Sequence, residues 1–160
     1  MGVNATAART RRRGRGTPPA ARRGPASGRA SRSRGSPAVP GRRRGRNWLG
    51  DMTPRETGRL LEAIERGTLT SAASAASMKA IMSRQQAGAR RIRHYLDVPV
   101  AHKTGDSAVI ANDVGLVSAR SGTVVLALFV NGVTGPYAET EDRIGRVARQ
   151  IVDYFDGASR

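Results

Sequence analysis

Apolar residues recur in regular patterns through residues 47–160, whereas residues 1–46 carry almost no large apolar side chains. Apolar positions spaced three and four residues apart indicate helices, and continuous apolar runs bounded by turn residues indicate strands. The patterns predict helices over 53–66, 71–86 and 139–154 and strands over 98–104, 110–118 and 123–130.

The first predicted helix has well-marked ends. Thr53-Pro54-Arg55-Glu56 has the spacing of a capping box with proline at the first helical position, and Gly67 ends the helix. Its predicted buried stripe consists of Leu60, Leu61 and Ile64.

The second predicted helix begins after Ser71 as its cap, and Gly88 terminates the segment. Its apolar side is interpreted as core rather than as a cofactor site, and consists of Ala75, Met78, Ile81 and Met82. The polar segment that follows is interpreted as solvated surface and contains Arg90, Arg91, Arg93 and His94.

The predicted strand 123–130 is an unbroken apolar run, which favours a strand covered on both faces. The turn residues 119–122 predict a hairpin between this strand and the preceding one, so the pair is antiparallel. The last helix has a well-defined apolar stripe of Ile144, Val147, Ala148, Ile151, Val152 and Phe155. The order of elements therefore predicts an α/β fold of the α+β type, with a three-stranded antiparallel sheet flanked by helices.

The basic residues are concentrated in residues 1–46. This segment holds 14 of the 28 basic residues and none of the 12 acidic ones, so the net charge of +16 belongs mostly to it. It has too few large apolar side chains to offset the entropy lost on ordering, and we predict a disordered tail ahead of a folded region over 47–160. Three interpretations stay open for the tail: non-specific nucleic-acid binding, a linker without function, and coding DNA translated out of frame.

Several classes of site are excluded or disfavoured by composition. The absence of cysteine excludes disulfides and thiolate chemistry, and two histidines, His94 and His102, are too few for most zinc sites. No apolar run reaches transmembrane length, and residues 1–46 lack the apolar core of a secretory signal. We therefore expect no membrane association and a cytoplasmic location for the chain as written.

A motif with known chemistry closes the first predicted strand, which ends in Lys103-Thr104-Gly105. Asn112-Asp113 follows on the next strand. Together with the capping box and the closing helix, these residues make 49–156 resemble the C-terminal half of the serine β-lactamase and penicillin-binding-protein fold. The resemblance is greatest to β-lactamase-like serine hydrolases related to class A.

The resemblance implies opening of a β-lactam or a related amide or ester through a serine acyl-enzyme, with no cofactor. Lys103 would give electrostatic support and attract the substrate carboxylate, which Thr104 would hydrogen-bond. Gly105 would let the substrate approach the backbone closely, and the backbone N–H of Asp106 would be one oxyanion donor. The acidic side chain of Asp106 departs from the small or neutral residue expected there, and its charge would oppose an anionic substrate.

The other parts of such an active site are missing from the sequence. Ser-x-x-Lys would need a serine at position 76 or 100, where Ala76 and Val100 stand, and no Ser-x-Asn occurs. The family's helical half and first strands would precede residue 49, where the basic tail stands. We therefore expect a fragment that is inactive alone, in which Lys103 and Thr104 are solvated residues at a strand end.

Two other functions remain open: a basic-tailed protein associated with nucleic acid, and a non-catalytic ligand-binding module on the same half-fold. Strand alternation places His102 on the opposite face from Lys103, which favours a structural role for the histidine. Asn112 and Asp113 are interpreted as bracing the strand. Ser107, His102 and Asp106 are too close along one strand and turn to converge as a catalytic triad.

Overall fold

The computed structural model describes residues 2–10 and 51–157, with side chains from residue 5 onward. These residues form four strands, three α-helices and one short 3-10 helix. In chain order the elements are β1 (Gly2–Thr10), α1 (Pro54–Arg66), α2 (Ala72–Met82), the 3-10 helix (Ile92–Tyr95), β2 (Val100–Ser107), β3 (Ile110–Ala119), β4 (Gly122–Asn131) and α3 (Tyr137–Gly157). Each of the six elements expected from the sequence is present.

The strands form one antiparallel sheet in the order β1-β4-β3-β2. The expectation of three strands is wrong, because Gly2–Thr10 pairs with β4 from Gly2 opposite Asn131 to Thr10 opposite Thr123. This part of the predicted disordered tail is therefore a strand, held by backbone pairing that side-chain patterns do not reveal. Residues 11–46, the rest of that predicted tail, lie outside the described residues.

Strand β4 is covered on both faces, as its unbroken apolar run predicts. Leu126 and Leu128 belong to the main core, which packs against α3. Val125 points to the other face and packs with Leu61 of α1 and Leu116 of β3. The alternation along one strand thus supplies two apolar layers.

The closing helix packs across the sheet through its predicted stripe, with Ile144, Ala148 and Val152 buried. It approaches the 3-10 helix closely at Gly145, where a Cβ atom would lie 2.8 Å from the carbonyl oxygen of Arg91. This close approach fixes the segment that carries Arg91 against α3. Among the described residues, no helix has the length and apolar character needed to cross a bilayer.

Helix α2 differs from its prediction. It ends at Met82, and Ala75 is its one buried residue, while Met78 is 37% and Ile81 is 63% exposed. Met82, on the same predicted side, is partly buried and packs against the cluster of Leu61, Leu116 and Val125. The periodicity identifies the helix correctly, but the interpretation of its apolar side as core is wrong for Met78 and Ile81 and holds for Ala75 and, in part, for Met82.

Helix α1 begins with the capping box expected from the sequence. The hydroxyl of Thr53 accepts a hydrogen bond from the backbone N–H of Glu56 at 3.2 Å, and the carboxylate of Glu56 accepts one from the backbone N–H of Thr53 at 2.8 Å.

Thr53→Ala is expected to lower the free energy of unfolding by about 1 kcal/mol, measured by urea denaturation at neutral pH. An unchanged unfolding midpoint would show that the cap is dispensable.

The same cap predicts a dependence on pH. The hydrogen bond from the backbone of Thr53 lowers the pKa of Glu56 below its ordinary value of 4.5. Because the folded-state pKa is the lower one, the stabilisation is present above pH 4.5 and is lost as the pH falls through the folded-state pKa. Glu56→Gln should therefore destabilise the protein at neutral pH and have little effect in strong acid.

Candidate functional site

The motif strand β2 lies at an edge of the sheet, with β3 as its partner. The backbone N–H of Ser118 donates to the carbonyl of Pro99 at 3.0 Å, which fixes the phase of the antiparallel ladder. Along an edge strand, residues whose backbone N–H and C=O groups face the partner strand alternate with residues whose groups face away from it. Pro99 faces β3, so His102, Thr104 and Asp106 direct their N–H and C=O groups away from β3. The N–H groups of Thr104 and Asp106 therefore lie on the outer edge of the sheet.

The ammonium group of Lys103 lies at the same edge. Lys103 is exposed, and its Nζ donates to the carbonyl oxygen of Thr104 at 2.6 Å. This contact agrees with an outward carbonyl at Thr104. The side chain of Thr104 is buried, and its hydroxyl accepts from Nε2 of Gln85 at 3.5 Å.

Gly105 leaves the edge open at the next position. A Cβ atom there would meet only the side chain of Asn112, at 3.7 Å and 3.9 Å, which is ordinary van der Waals contact. Packing among the described residues therefore does not require glycine at this position. The predicted role of Gly105, close approach of a substrate to the backbone, stays a prediction.

The carboxylate of Asp106 turns away from the edge toward a cation. It accepts hydrogen bonds from Nη2 of Arg91 at 2.5 Å and from the hydroxyl of Tyr137 at 2.8 Å. Burial, and then the hydrogen bond to Asp106, raise the pKa of Tyr137, so the phenol stays a donor. The guanidinium of Arg91 thus offsets the charge of Asp106.

Arg91 is the centre of this arrangement, and the interpretation of its segment as solvated surface is wrong for this residue. Arg91 is 1% exposed. Besides Asp106 it binds Glu141 through Nε at 3.0 Å and the carbonyl of Asn112 through Nη1 at 2.8 Å. Burial alone would lower the pKa of Arg91, but the hydrogen bond and charge of Asp106 outweigh it and leave the pKa raised. The guanidinium therefore stays charged and ties the 3-10 helix region to β2, β3 and α3.

His102 lies on the face opposite Lys103, as strand alternation predicts. It is 1% exposed, and its Nδ1 lies 2.9 Å from Oδ1 of Asp113, which is fully buried. The other carboxylate oxygen of Asp113 accepts from the backbone N–H of Ile92 at 3.2 Å. The side-chain oxygen of Asn112 accepts from the backbone N–H of Val130 at 3.1 Å. The bracing role expected of Asn112 and Asp113 is confirmed.

A catalytic triad of Ser107, His102 and Asp106 is ruled out by these contacts. The carboxylate of Asp106 is held by Arg91, while the imidazole of His102 is held by Asp113. The acid and the base therefore have different partners. The edge of β2 thus carries the ammonium of Lys103 and the outward N–H groups of Thr104 and Asp106, and none of these groups is a serine nucleophile.

The chain is similar in sequence to one known protein family and in structure to several solved proteins. A sequence model of the beta-lactamase enzyme family matches residues 7–155. No curated protein sequence matches the chain. The match begins within β1 and ends within α3, so it spans every element of the sheet.

Three solved structures illustrate the similarity. A β-lactamase from Chitinophaga pinensis is 32% identical with a TM-score of 0.61, and the match covers 64% of this chain and 41% of the β-lactamase chain. A class A β-lactamase representative from Bacteroides cellulosilyticus is 27% identical with a TM-score of 0.62, covering 66% of this chain and 42% of its own. A mutant of PBP-A in an acyl-enzyme complex with penicillin G is 27% identical with a TM-score of 0.58, covering 66% and 40%. The chain thus spans about two fifths of these relatives.

Proposed function

Because this chain belongs to the beta-lactamase enzyme family, we propose that the open edge of β2 is one wall of a site that opens β-lactam amides or related esters. The reaction proceeds through a serine acyl-enzyme, and the 160-residue chain alone does not perform it. The observation that carries the proposal is the placement of the Lys103 ammonium beside the outward N–H of Asp106 at one open edge. The penicillin G acyl-enzyme complex of PBP-A supports the choice of substrate class.

The first task of this wall is to bind the substrate carboxylate. Lys103 supplies a positive charge at the strand edge, where the ammonium already binds a carbonyl oxygen. The hydroxyl of Thr104 accepts a hydrogen bond from Gln85, which leaves the hydroxyl proton to be donated to a carboxylate oxygen. The side chains of Lys103 and Thr104 leave β2 on opposite faces, so a carboxylate that contacts both lies at the strand edge between them.

The second task is to stabilise the oxyanion of the tetrahedral intermediate. The outward N–H of Asp106 is a preorganised backbone donor, whose position is fixed by the ladder with β3. Arg91 and Tyr137 draw the Asp106 carboxylate to the far side and offset its charge. The donor can therefore face a negatively charged oxygen without a competing carboxylate beside it.

The nucleophile is the part that this chain does not supply. The family mechanism needs a serine with a lysine one helical turn away, and positions 76 and 100 hold Ala76 and Val100. No Ser-x-Asn occurs in the 160 residues. The edge can bind and polarise a substrate, but no acyl-enzyme forms on it. The nucleic-acid alternative depends on arginines in residues 1–46, most of which lie outside the described residues, and no observed contact favours it.

Binding of penicillin G, followed by backbone ¹H–¹⁵N NMR, tests the proposal. Saturable shifts are expected at the amides of Thr104, Gly105 and Asp106. Lys103→Ala should abolish these shifts. Lys79→Ala is the matched control, because Lys79 is the chain's second lysine and pairs with Glu65 away from β2. Shifts that persist in Lys103→Ala, or that vanish equally in Lys79→Ala, would contradict the assigned site.

A further inference from the structure

A second polar cleft adjoins β2 on the face to which His102 points, opposite Lys103. The cleft has a volume of about 460 Å³ and opens to solvent. It does not include Lys103 or Asp106, and it adjoins the edge described above through Gln85, which hydrogen-bonds Thr104. Its lining consists of the segment 85–89, Arg93, His94, Leu96, Asp97 and His102.

One buried polar atom at this cleft has no hydrogen-bond partner among residues 2–10 and 51–157. His102 is 1% exposed, and its Nδ1 is engaged by Asp113, but its Nε2 is buried and unpaired. A buried polar group without a partner costs stability and calls for an explanation. A ligand that supplies the missing hydrogen bond is one such explanation.

The surroundings of Asp113 indicate the kind of hydrogen bond that is missing. Asp113 is fully buried and accepts hydrogen bonds from His102 and from the backbone of Ile92. A buried carboxylate requires a compensating cation, and the imidazole at 2.9 Å is placed to be that cation. In the imidazolium form both ring nitrogens carry protons, so Nε2 is a donor that needs an acceptor.

We propose that this cleft binds a small carboxylate, whose oxygen accepts the hydrogen bond from Nε2 of His102. Arg93 supplies the second positive charge. It is exposed, and its hydrogen bond to the carbonyl of Gln85 is long at 3.4 Å, so its guanidinium can turn toward a ligand. Asp97 also lines the cleft and disfavours dianions, which selects a monocarboxylate or a zwitterion.

The ligand reaches Nε2 by displacing part of the segment 85–89. This segment lies between α2 and the 3-10 helix and contains no helix or strand. Its side-chain hydrogen bond to β2, from Gln85 to Thr104, is at the long limit of 3.5 Å. A metal ion is not the ligand class, because the described residues contain no group of three or more His, Asp or Glu suited to hold one.

Imidazole ¹H–¹⁵N NMR with sodium acetate as the probe tests the proposal. The chain has only two histidines, so two sets of ring signals cover the whole spectrum. In the proposed complex Nε2 of His102 donates its proton to acetate, so the ring signals of His102 are expected to shift saturably with acetate. Arg93→Ala should weaken acetate binding about tenfold, the effect of one charge-assisted hydrogen bond. Arg55→Ala, an exposed arginine on α1, should bind acetate as the unchanged chain does.

Four results would overturn the proposal. An unprotonated Nε2 would make His102 an acceptor, which cannot bind a carboxylate. Equal shifts with sodium chloride at the same ionic strength would show a general salt effect. Acetate binding that is unchanged in Arg93→Ala, or weaker than binding of inorganic phosphate, would assign a different ligand class. The cleft and the edge are linked by the hydrogen bond from Gln85 to Thr104, but the readouts differ. Acetate is followed at the ring of His102 and penicillin G at the backbone amides of residues 104–106, so each proposal can fail without the other.

Discussion

Replacement of Arg91 by methionine is expected to lower the free energy of unfolding by about 2–3 kcal/mol. The guanidinium is 2% exposed and joins Asp106, Glu141 and the carbonyl of Asn112. Breaking a fully buried ion pair typically costs more, but the side chain of Asp106 is 44% exposed and recovers water when its partner is removed. Methionine fills most of the volume of the aliphatic part of the arginine side chain. The loss in unfolding free energy therefore measures the ion pairs and hydrogen bonds of the guanidinium. Urea denaturation at neutral pH measures it.

Arg90→Met is the matched control for this prediction. Arg90 is the neighbouring residue, and its ion pair with Asp142 at 2.7 Å is solvent-exposed on the arginine side, at 53%. Exposed pairs contribute little, so the unfolding midpoint should hardly change. Equal losses for Arg90→Met and Arg91→Met would contradict the central position of Arg91. The penicillin-induced shift at the amide of Asp106 should also weaken in Arg91→Met, because the freed carboxylate would repel the anionic ligand.

Asp113→Ala is expected to lower the free energy of unfolding by about 3 kcal/mol. The change removes the acceptor for Nδ1 of His102 and for the backbone N–H of Ile92, both inside the core. Each buried donor left unpaired costs stability. Asp113→Asn should cost less, because the amide oxygen can still accept one of the two hydrogen bonds. Chemical denaturation followed by circular dichroism measures both variants.

Asp153→Ala serves as the control for Asp113→Ala. Asp153 forms an i,i+4 pair with Arg149 on α3, with both side chains about half exposed. Its removal should leave the unfolding midpoint nearly unchanged, because both groups are solvated before and after. If Asp113→Ala were as stable as Asp153→Ala, the buried pair with His102 would have no structural role.

The elements that the sequence predicts well are those with a strong local pattern. The apolar run of β4 and the stripe of α3 each bury a whole face, so periodicity alone identifies them. Strand β1 was missed because Gly2–Thr10 contains Val3 as its one branched aliphatic residue and continues into arginines. Its pairing with β4 comes from backbone hydrogen bonds across more than a hundred residues, which no local pattern records.

The candidate site likewise contains some features that a local sequence pattern predicts and others that it does not. The local sequence predicts the motif Lys103-Thr104-Gly105 and the strand that contains it. The hairpin turn also correctly predicts that β3 pairs with β4. No local signal distinguishes Arg91 from Arg90 or Arg93, because its carboxylate partners Asp106 and Glu141 lie 15 and 50 residues further along the chain. The unpaired Nε2 of His102 likewise depends on the position of Asp113, which only the sheet register brings within reach.

We propose that this chain holds the binding wall of a β-lactam-opening site without its nucleophile. Hydrolysis of a chromogenic cephalosporin by the purified 160-residue chain tests this proposal. The expected rate equals that of buffer alone, and Lys103→Ala is expected to give the same rate. Turnover above buffer that Lys103→Ala abolishes would contradict the claim, because it would show a complete active site within these residues.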